Sequence, residues 1–132
     1  YKSSKGDRQD NHGKWIEKGT LQLGLYASAI ENGLINNQKW NVSGAVYYIL
    51  KDFKRQVGFL VEEQSGPLYE LGKNAKHKIS LEEKRTLLVG VELAAKESIR
   101  GILSGQIPPT PKDADDCKSC GWNTLCRGPH LL

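Results

Sequence analysis

The sequence predicts an α/β fold, and three observations carry that prediction. A helical pattern of apolar residues over 21–31 comes first, two β-branched and aromatic runs follow over 43–62, and a longer helical pattern starts at Leu81. Each element has a local reason. Residues 1–19 hold turn formers, among them Gly6, Asp7, Asn11, His12 and Gly13, and read as a loop after a strand end. Thr20 is placed to cap a helix from Leu21 to Glu31, which Asn32 and Gly33 stop. Leu21, Leu23, Leu25, Ala27, Ala29 and Ile30 cover most of that helix, which predicts burial nearly all round.

The runs Ser43 to Lys51 and Gln56 to Glu62 predict a hairpin across a charged turn at Asp52 to Arg55. Pro67 to Leu71 reads as a short edge strand, and Gly72 to Lys78 as a basic, polar connection. Ser80 followed by Glu83 is a capping-box pattern. It opens a helix to about Ser104 with apolar Leu81, Leu88, Val91, Leu93, Ala95, Ile99, Ile102 and Leu103. Gly105 ends this helix, and Pro108, Pro109 and Pro111 force an extended tail. The expected organisation is one domain over 1–132, an α/β part at 1–104 and a Pro-rich, cysteine-bearing tail at 105–132.

Composition limits the function classes. The 132 residues suit a single domain, and a mean hydropathy of -0.53 with 26% charged residues excludes a membrane protein. The longest apolar run, Gly44 to Leu50, is seven residues, far short of the roughly 20 that a spanning helix needs. The net charge is +4, and the basic excess lies within residues 1–78, with 12 basic against 8 acidic residues. Such an excess is compatible with a polyanionic partner and equally with plain solubility. The chain has no Met and opens on Tyr1-Lys2-Ser3-Ser4, so it reads as a fragment whose site ligands extend upstream of Tyr1.

All three cysteines fall in the last sixteen residues as Cys117-x2-Cys120-x5-Cys126, a cluster that reads as a metal site. A two-residue gap lets two thiolates share one side of a turn. His130 would complete a Cys3His zinc site, whereas a cysteine upstream of Tyr1 would complete a four-cysteine iron-sulfur site. Reduced thiols or a single disulfide are the plain alternative. Gln22 and Tyr26 stand four residues apart, so both polar groups emerge from one helix face. Trp15, Trp40 and Trp122 are read as packing or surface cover, Trp122 shielding the cysteines.

Taken in order, Tyr1-Lys2-Ser3, Gln22-x3-Tyr26 and the Pro-rich approach to Cys-x2-Cys-x5-Cys resemble the RecB-like nucleases of the PD-(D/E)XK superfamily. The resemblance runs from Tyr1 to Arg127 and is to their iron-sulfur branch, which includes the AddB nuclease domain and CRISPR-associated exonucleases. It implies the C-terminal portion of a restriction-endonuclease-like fold and an exonuclease-like, metal-dependent DNA hydrolase. The family's acid-x-Lys motif would end on Tyr1-Lys2-Ser3, with Lys2 the active-site lysine that orients the attacking water and stabilises charge on the phosphate. Gln22 and Tyr26 would support the active site and contact the DNA strand.

Cys117, Cys120 and Cys126 would bind a 4Fe-4S cluster whose fourth cysteine lies upstream of Tyr1, stapling the ends of the domain; His130 would then be incidental. The acids that hold Mg2+ or Mn2+ in the superfamily precede the lysine, and Asp7, Asp10 and Glu17 match no motif position. The chain alone is therefore expected to be catalytically silent. DNA is the implied partner, with helicase or CRISPR-associated proteins and no membrane, in the cytoplasm. Lys39, Lys51, Lys54 and Arg55 could line a DNA approach or form an ordinary solvated surface. Two other readings stay open. One is a non-enzymatic zinc module that binds nucleic acid or protein through Trp122 and Arg127; the other is a nuclease-like domain that has lost its active site.

Overall fold

The structure is a computed structural model that describes residues 12–49, 54–64 and 77–106, together with 117, 120 and 121. A short 3-10 turn, His12–Lys14, leads into α1 (Trp15–Lys18) and α2 (Gln22–Glu31). The strands β1 (Gly44–Ile49), β2 (Lys54–Val61) and β3 (Lys78–Ile79) form one sheet in the order β1-β2-β3, and α3 (Leu81–Leu103) follows. This mixed α/β arrangement has the expected class. The chain divides into two compact units, Tyr1–Lys96 and Glu97–Leu132. No described helix is long and apolar enough to cross a membrane.

In the first unit, β1 and β2 pair antiparallel, as the hairpin pattern predicts, and a bulge falls between Ala45 and Val46. Ala45 pairs with Phe59 and Val46 with Val57, so Gly58 is the extra residue. The sheet then continues by a parallel pairing of Leu60 and Val61 with Lys78 and Ile79. The sequence reading placed Lys78 in a connection; it is instead in a strand. Two residues are too few to show a period, and their partner lies far away in the chain. β2 also begins at Lys54, inside the expected turn. The expected strand at Pro67 to Leu71 lies outside the described residues.

The core gathers Trp15, Ala27, Phe59, Val61, Ile79, Leu88 and Val91, with Leu21, Leu23, Leu25, Val42, Ala45, Leu81 and Leu87 packed around them. Phe59, Leu60 and Val61 are all fully buried, so the central strand is covered on both faces there. Trp15 is also fully buried and meets Phe59 edge-on, ring centroids 6.0 Å apart. The loop expected over 1–19 is thus helical from His12 to Lys18, and it delivers a main core residue. A single turn cannot display helical periodicity, which is why it reads as loop.

Two further expectations for α2 are corrected. Thr20 does not cap it: the N-cap is Leu21, without a side-chain cap. The Thr20 amide closes α1 by donating to the Trp15 carbonyl at 2.9 Å, and its buried hydroxyl has no hydrogen-bond partner among the described residues. Nor is α2 buried all round. Its buried residues are Gly24, Ala27 and Ser28, one face only.

The ends of the helices follow their local signals. At α2 the Leu34 amide donates to Ala29 at 2.9 Å and the Gly33 amide to Ile30 at 3.2 Å, with Gly33 at φ +74°. This Schellman closure requires the left-handed conformation that glycine adopts without strain. At α3, Ser80 and Glu83 form the expected reciprocal box: the Ser80 amide donates to the Glu83 carboxylate at 2.7 Å, and the Glu83 amide to the Ser80 hydroxyl at 3.2 Å. The same backbone hydrogen bond, then that with the Ser80 side chain, hold the Glu83 carboxyl below its ordinary range.

In the second unit, α3 ends on Gly105 at φ +71°, the Gln106 amide donating to Gly101 at 2.9 Å. The Cys120 amide donates to the Cys117 carbonyl at 3.4 Å.

Candidate functional site

α2 turns one face to the core and presents the opposite one to solvent. At about 100° per residue, Gly24, Ala27 and Ser28 lie roughly 140° to 240° around the axis from Gln22, whereas Tyr26 lies only about 40° away. Burying the first three therefore directs Gln22 and Tyr26 outward. Tyr26 is 57% exposed, and the Gln22 amide donates to its hydroxyl oxygen at 2.9 Å. The pair leaves the tyrosine O–H, the second amide N–H and the amide carbonyl free to reach a ligand. Accepting a hydrogen bond also polarises the tyrosine O–H as a donor. Two neutral donors, fixed side by side on a rigid helix, suit a phosphate oxygen.

Gly24 makes this orientation possible, and sequence reasoning missed it. A Cβ there would lie 2.9 Å and 3.0 Å from the two methyls of Val91 and 3.3 Å from Cε3 of Trp15. The signal was present, since glycine inside a helix costs about 1 kcal/mol and usually marks a close approach. Gly58 plays the same part on the sheet, where a Cβ would meet Leu23 at 2.6 Å and Trp15 at 2.9 Å. Its carbonyl accepts a 3.2 Å hydrogen bond from Nδ1 of His12.

Two polar networks hold α2 against α3. On the buried side, the Ser28 hydroxyl donates to the Glu92 carboxylate, and the Asn32 amide donates to both, at 3.2 Å and 3.1 Å. At the C-terminal end, Lys84, only 2% exposed, pairs with Glu31 at 2.6 Å and donates to Asn41 Oδ1 at 2.8 Å and the Val42 carbonyl at 3.2 Å. Glu31 in turn accepts from the Val42 amide at 3.0 Å. Neither network showed in the sequence, because the partners of Lys84 lie 42 to 53 positions away and a lysine is almost never fully buried unless paired.

The other expected site residues are placed as follows. Lys2 lies outside the described residues, as do Asp7, Asp10, Lys51, Trp122, Cys126, Arg127 and His130. Lys39 is exposed, and Lys54 and Arg55 open β2. Glu17 is exposed on α1. Cys117 is half-buried, Cys120 is exposed, and both are free thiols at the two ends of one turn. Paired soft donors of this kind suit zinc or an iron-sulfur cluster and not a hard cation. Among the described residues no three His, Cys, Asp or Glu side chains assemble as a metal site. An open cleft at the start of α3, lined by Ser80, Glu82, Glu83, Thr86 and Leu87, carries two carboxylates and repels an anion.

Comparison with known proteins gives one family: the model of the PD-(D/E)XK nuclease superfamily matches residues 1–127. Neither a curated protein nor a solved structure matches the chain.

Proposed function

Because the chain belongs to the PD-(D/E)XK nuclease superfamily, we propose that it is the lysine- and cysteine-bearing part of a RecB-like, iron-sulfur-type DNA exonuclease. The observation that carries this reading is the outward, hydrogen-bonded Gln22–Tyr26 pair on α2. In this reading the pair grips the phosphate backbone of the strand being cut. Lys2 serves as the active-site lysine, whose ammonium orients the attacking water and offsets charge developing on the phosphoryl oxygens. Carboxylates of the complete site would hold a divalent ion, which would supply a lowered pKa for that water and charge neutralisation at the phosphate.

Cys117, Cys120 and Cys126 would hold a 4Fe-4S cluster with one further thiolate from elsewhere in the protein. Such a cluster would staple the fold and take no redox part in hydrolysis. Free thiols with this spacing suit the reducing cytoplasm. Helicase or CRISPR-associated proteins are the partners that this branch suggests.

The test is hydrolysis of end-labelled linear DNA, with Mg2+ or Mn2+, by the full protein that contains this sequence. Lys2→Ala should abolish cleavage, and Tyr26→Phe or Gln22→Ala should lower it about tenfold, near the lost value of one hydrogen bond to a charged group. The 132-residue chain by itself should bind DNA without cutting it. Iron and acid-labile sulfide should accompany the cysteines. Stoichiometric zinc in their place would remove the iron-sulfur assignment, and a full protein that leaves DNA intact would remove the nuclease.

A further inference from the structure

The loop that follows α2, residues 32–40, carries Asn32, Gly33, Leu34, Ile35, Asn36, Asn37, Gln38, Lys39 and Trp40. It contains no acid. Leu34 is 77% exposed and Trp40 58%, a costly display of apolar surface in a folded domain. The exposure does not come from a loosely attached loop. The Schellman closure fixes its start, the Trp40 amide donates to the Ile30 carbonyl at 3.4 Å, and the Gln38 amide donates to Ile35 at 3.3 Å. Just after Trp40, Asn41 and Val42 are tied to the buried Lys84. Asn36 and Asn37 both adopt left-handed backbone, at φ +57° and +54°, so the tip holds a defined and unusual shape.

The chemistry of this rigid loop fits a single strand of nucleic acid. An exposed indole stacks on any unpaired base, whereas bases inside a duplex offer no free face. Lys39, exposed and adjacent in sequence, pairs with no acid among the described residues and is available to a phosphate. The exposed amides of Asn36, Asn37 and Gln38 can donate to and accept from base edges without adding charge. Two carboxylates stand at the start of the loop, and each has a cation beside it: Glu31 pairs with Lys84 at 2.6 Å, and Glu92, which accepts from the Asn32 amide, lies 3.8 Å from Lys96. Along the α2 axis the loop starts about 9 Å beyond Tyr26, at 1.5 Å per residue. That is two or three stacked nucleotides at about 3.4 Å each.

We propose that residues 34–40 form a binding platform for single-stranded DNA, in which Trp40 stacks on an unpaired base and Lys39 neutralises a neighbouring phosphate. This rests on the nuclease reading, and it extends the DNA track from the Gln22–Tyr26 pair to the far end of α2. The platform selects substrate ends that are already single-stranded or locally unpaired.

The experiment uses the 132-residue chain with fluorescein-labelled oligo-dT of twenty nucleotides in EDTA, read by anisotropy, alongside a duplex of the same length. Trp40→Ala should weaken oligo-dT binding about 5- to 150-fold, the range for one lost stacked base. Trp40→Phe should keep most of the affinity. Lys39→Gln should flatten the dependence of log Kd on log salt by about 0.7, the value for one phosphate contact on a single strand. Oligo-dT should quench tryptophan emission in the unmodified chain, and Trp40→Phe should remove that quenching. Circular dichroism and melting of Trp40→Ala should match the parent, since the side chain lies outside the core.

A parent chain that binds oligo-dT while Trp40→Ala binds it equally well overturns the platform and leaves the nuclease reading standing. Binding of neither oligo-dT nor duplex overturns both. A change in sedimentation with Trp40→Ala, without a change in DNA affinity, assigns the patch to self-association and also overturns the platform.

Discussion

Lys84→Met tests whether the buried ammonium ties α2 and the following loop to α3. The substitution keeps the length of the aliphatic stem and removes three contacts: the 2.6 Å ion pair with Glu31, and the hydrogen bonds to Asn41 and to the Val42 carbonyl. Breaking a buried pair from one side costs about 3–5 kcal/mol, because the partner charge stays behind. Here Glu31 is still a quarter exposed and keeps the Val42 amide, so water recovers part of that loss. About 2–3 kcal/mol is expected, which for a domain of this size lowers Tm by roughly 10 °C.

The same argument makes the pair interdependent. Glu31→Gln alone strands a nearly inaccessible ammonium and should cost a similar amount. The double variant should be more stable than the sum of the singles by about 1–3 kcal/mol. Urea denaturation of all four proteins measures the coupling, and amide exchange at Val42 reports the loop anchor directly. Singles whose effects add, or a Lys84→Met protein with the parent Tm, would show that the ion pair does not hold these elements together.

Other outcomes follow from the same packing and electrostatics. Gly24→Ala adds a helix former worth about 1 kcal/mol but forces its Cβ against Val91 and Trp15, so a net loss of about 1 kcal/mol in urea is expected. Val91→Ala should be less damaging in that background than alone, and a stabilised Gly24→Ala protein would contradict the close approach. Glu83 has a depressed carboxyl, so its contribution is present above the ordinary carboxylate range and is lost as pH falls through its folded value. Amide exchange in the first turn of α3 should therefore quicken in acid, and Glu83→Gln should remove that acid response. Tyr47 is buried, and burial pushes its phenol up against a smaller opposing effect of its hydrogen bond with the Leu23 backbone. The neutral phenol is thus favoured by folding: its contribution is present below about pH 10 and is lost as pH rises through the folded value. Tyr47→Phe should melt less steeply above that pH than the parent protein, as followed by Tm against pH.

What could be read before any coordinates were the features whose causes lie within a few residues of each other. Ser80 and Glu83 cap a helix because both partners sit in one turn, and Gly33 and Gly105 end helices because the left-handed residue is itself the signal. The hairpin follows from two runs of β-formers close in sequence, and the shared helix face of Gln22 and Tyr26 from a four-residue spacing, though not its exposure to solvent. The whole-chain order of motifs likewise sufficed for the superfamily, which the match over residues 1–127 shows.

Tertiary structure decided everything that depends on a distant neighbour. Trp15 became a central core residue on a helix too short to show a period, and β3 became a strand only because β2 offers it a free edge. Lys84 became a buried cation because Glu31, Asn41 and Val42, some forty to fifty positions away, converge on it. Gly24 mattered for the missing Cβ that lets Val91 and Trp15 approach, and that approach turns Gln22 and Tyr26 to solvent. Local sequence sets backbone torsions and caps through short-range sterics and hydrogen bonds. Burial of a charge or exposure of an indole is set by what packs alongside, which no local window contains.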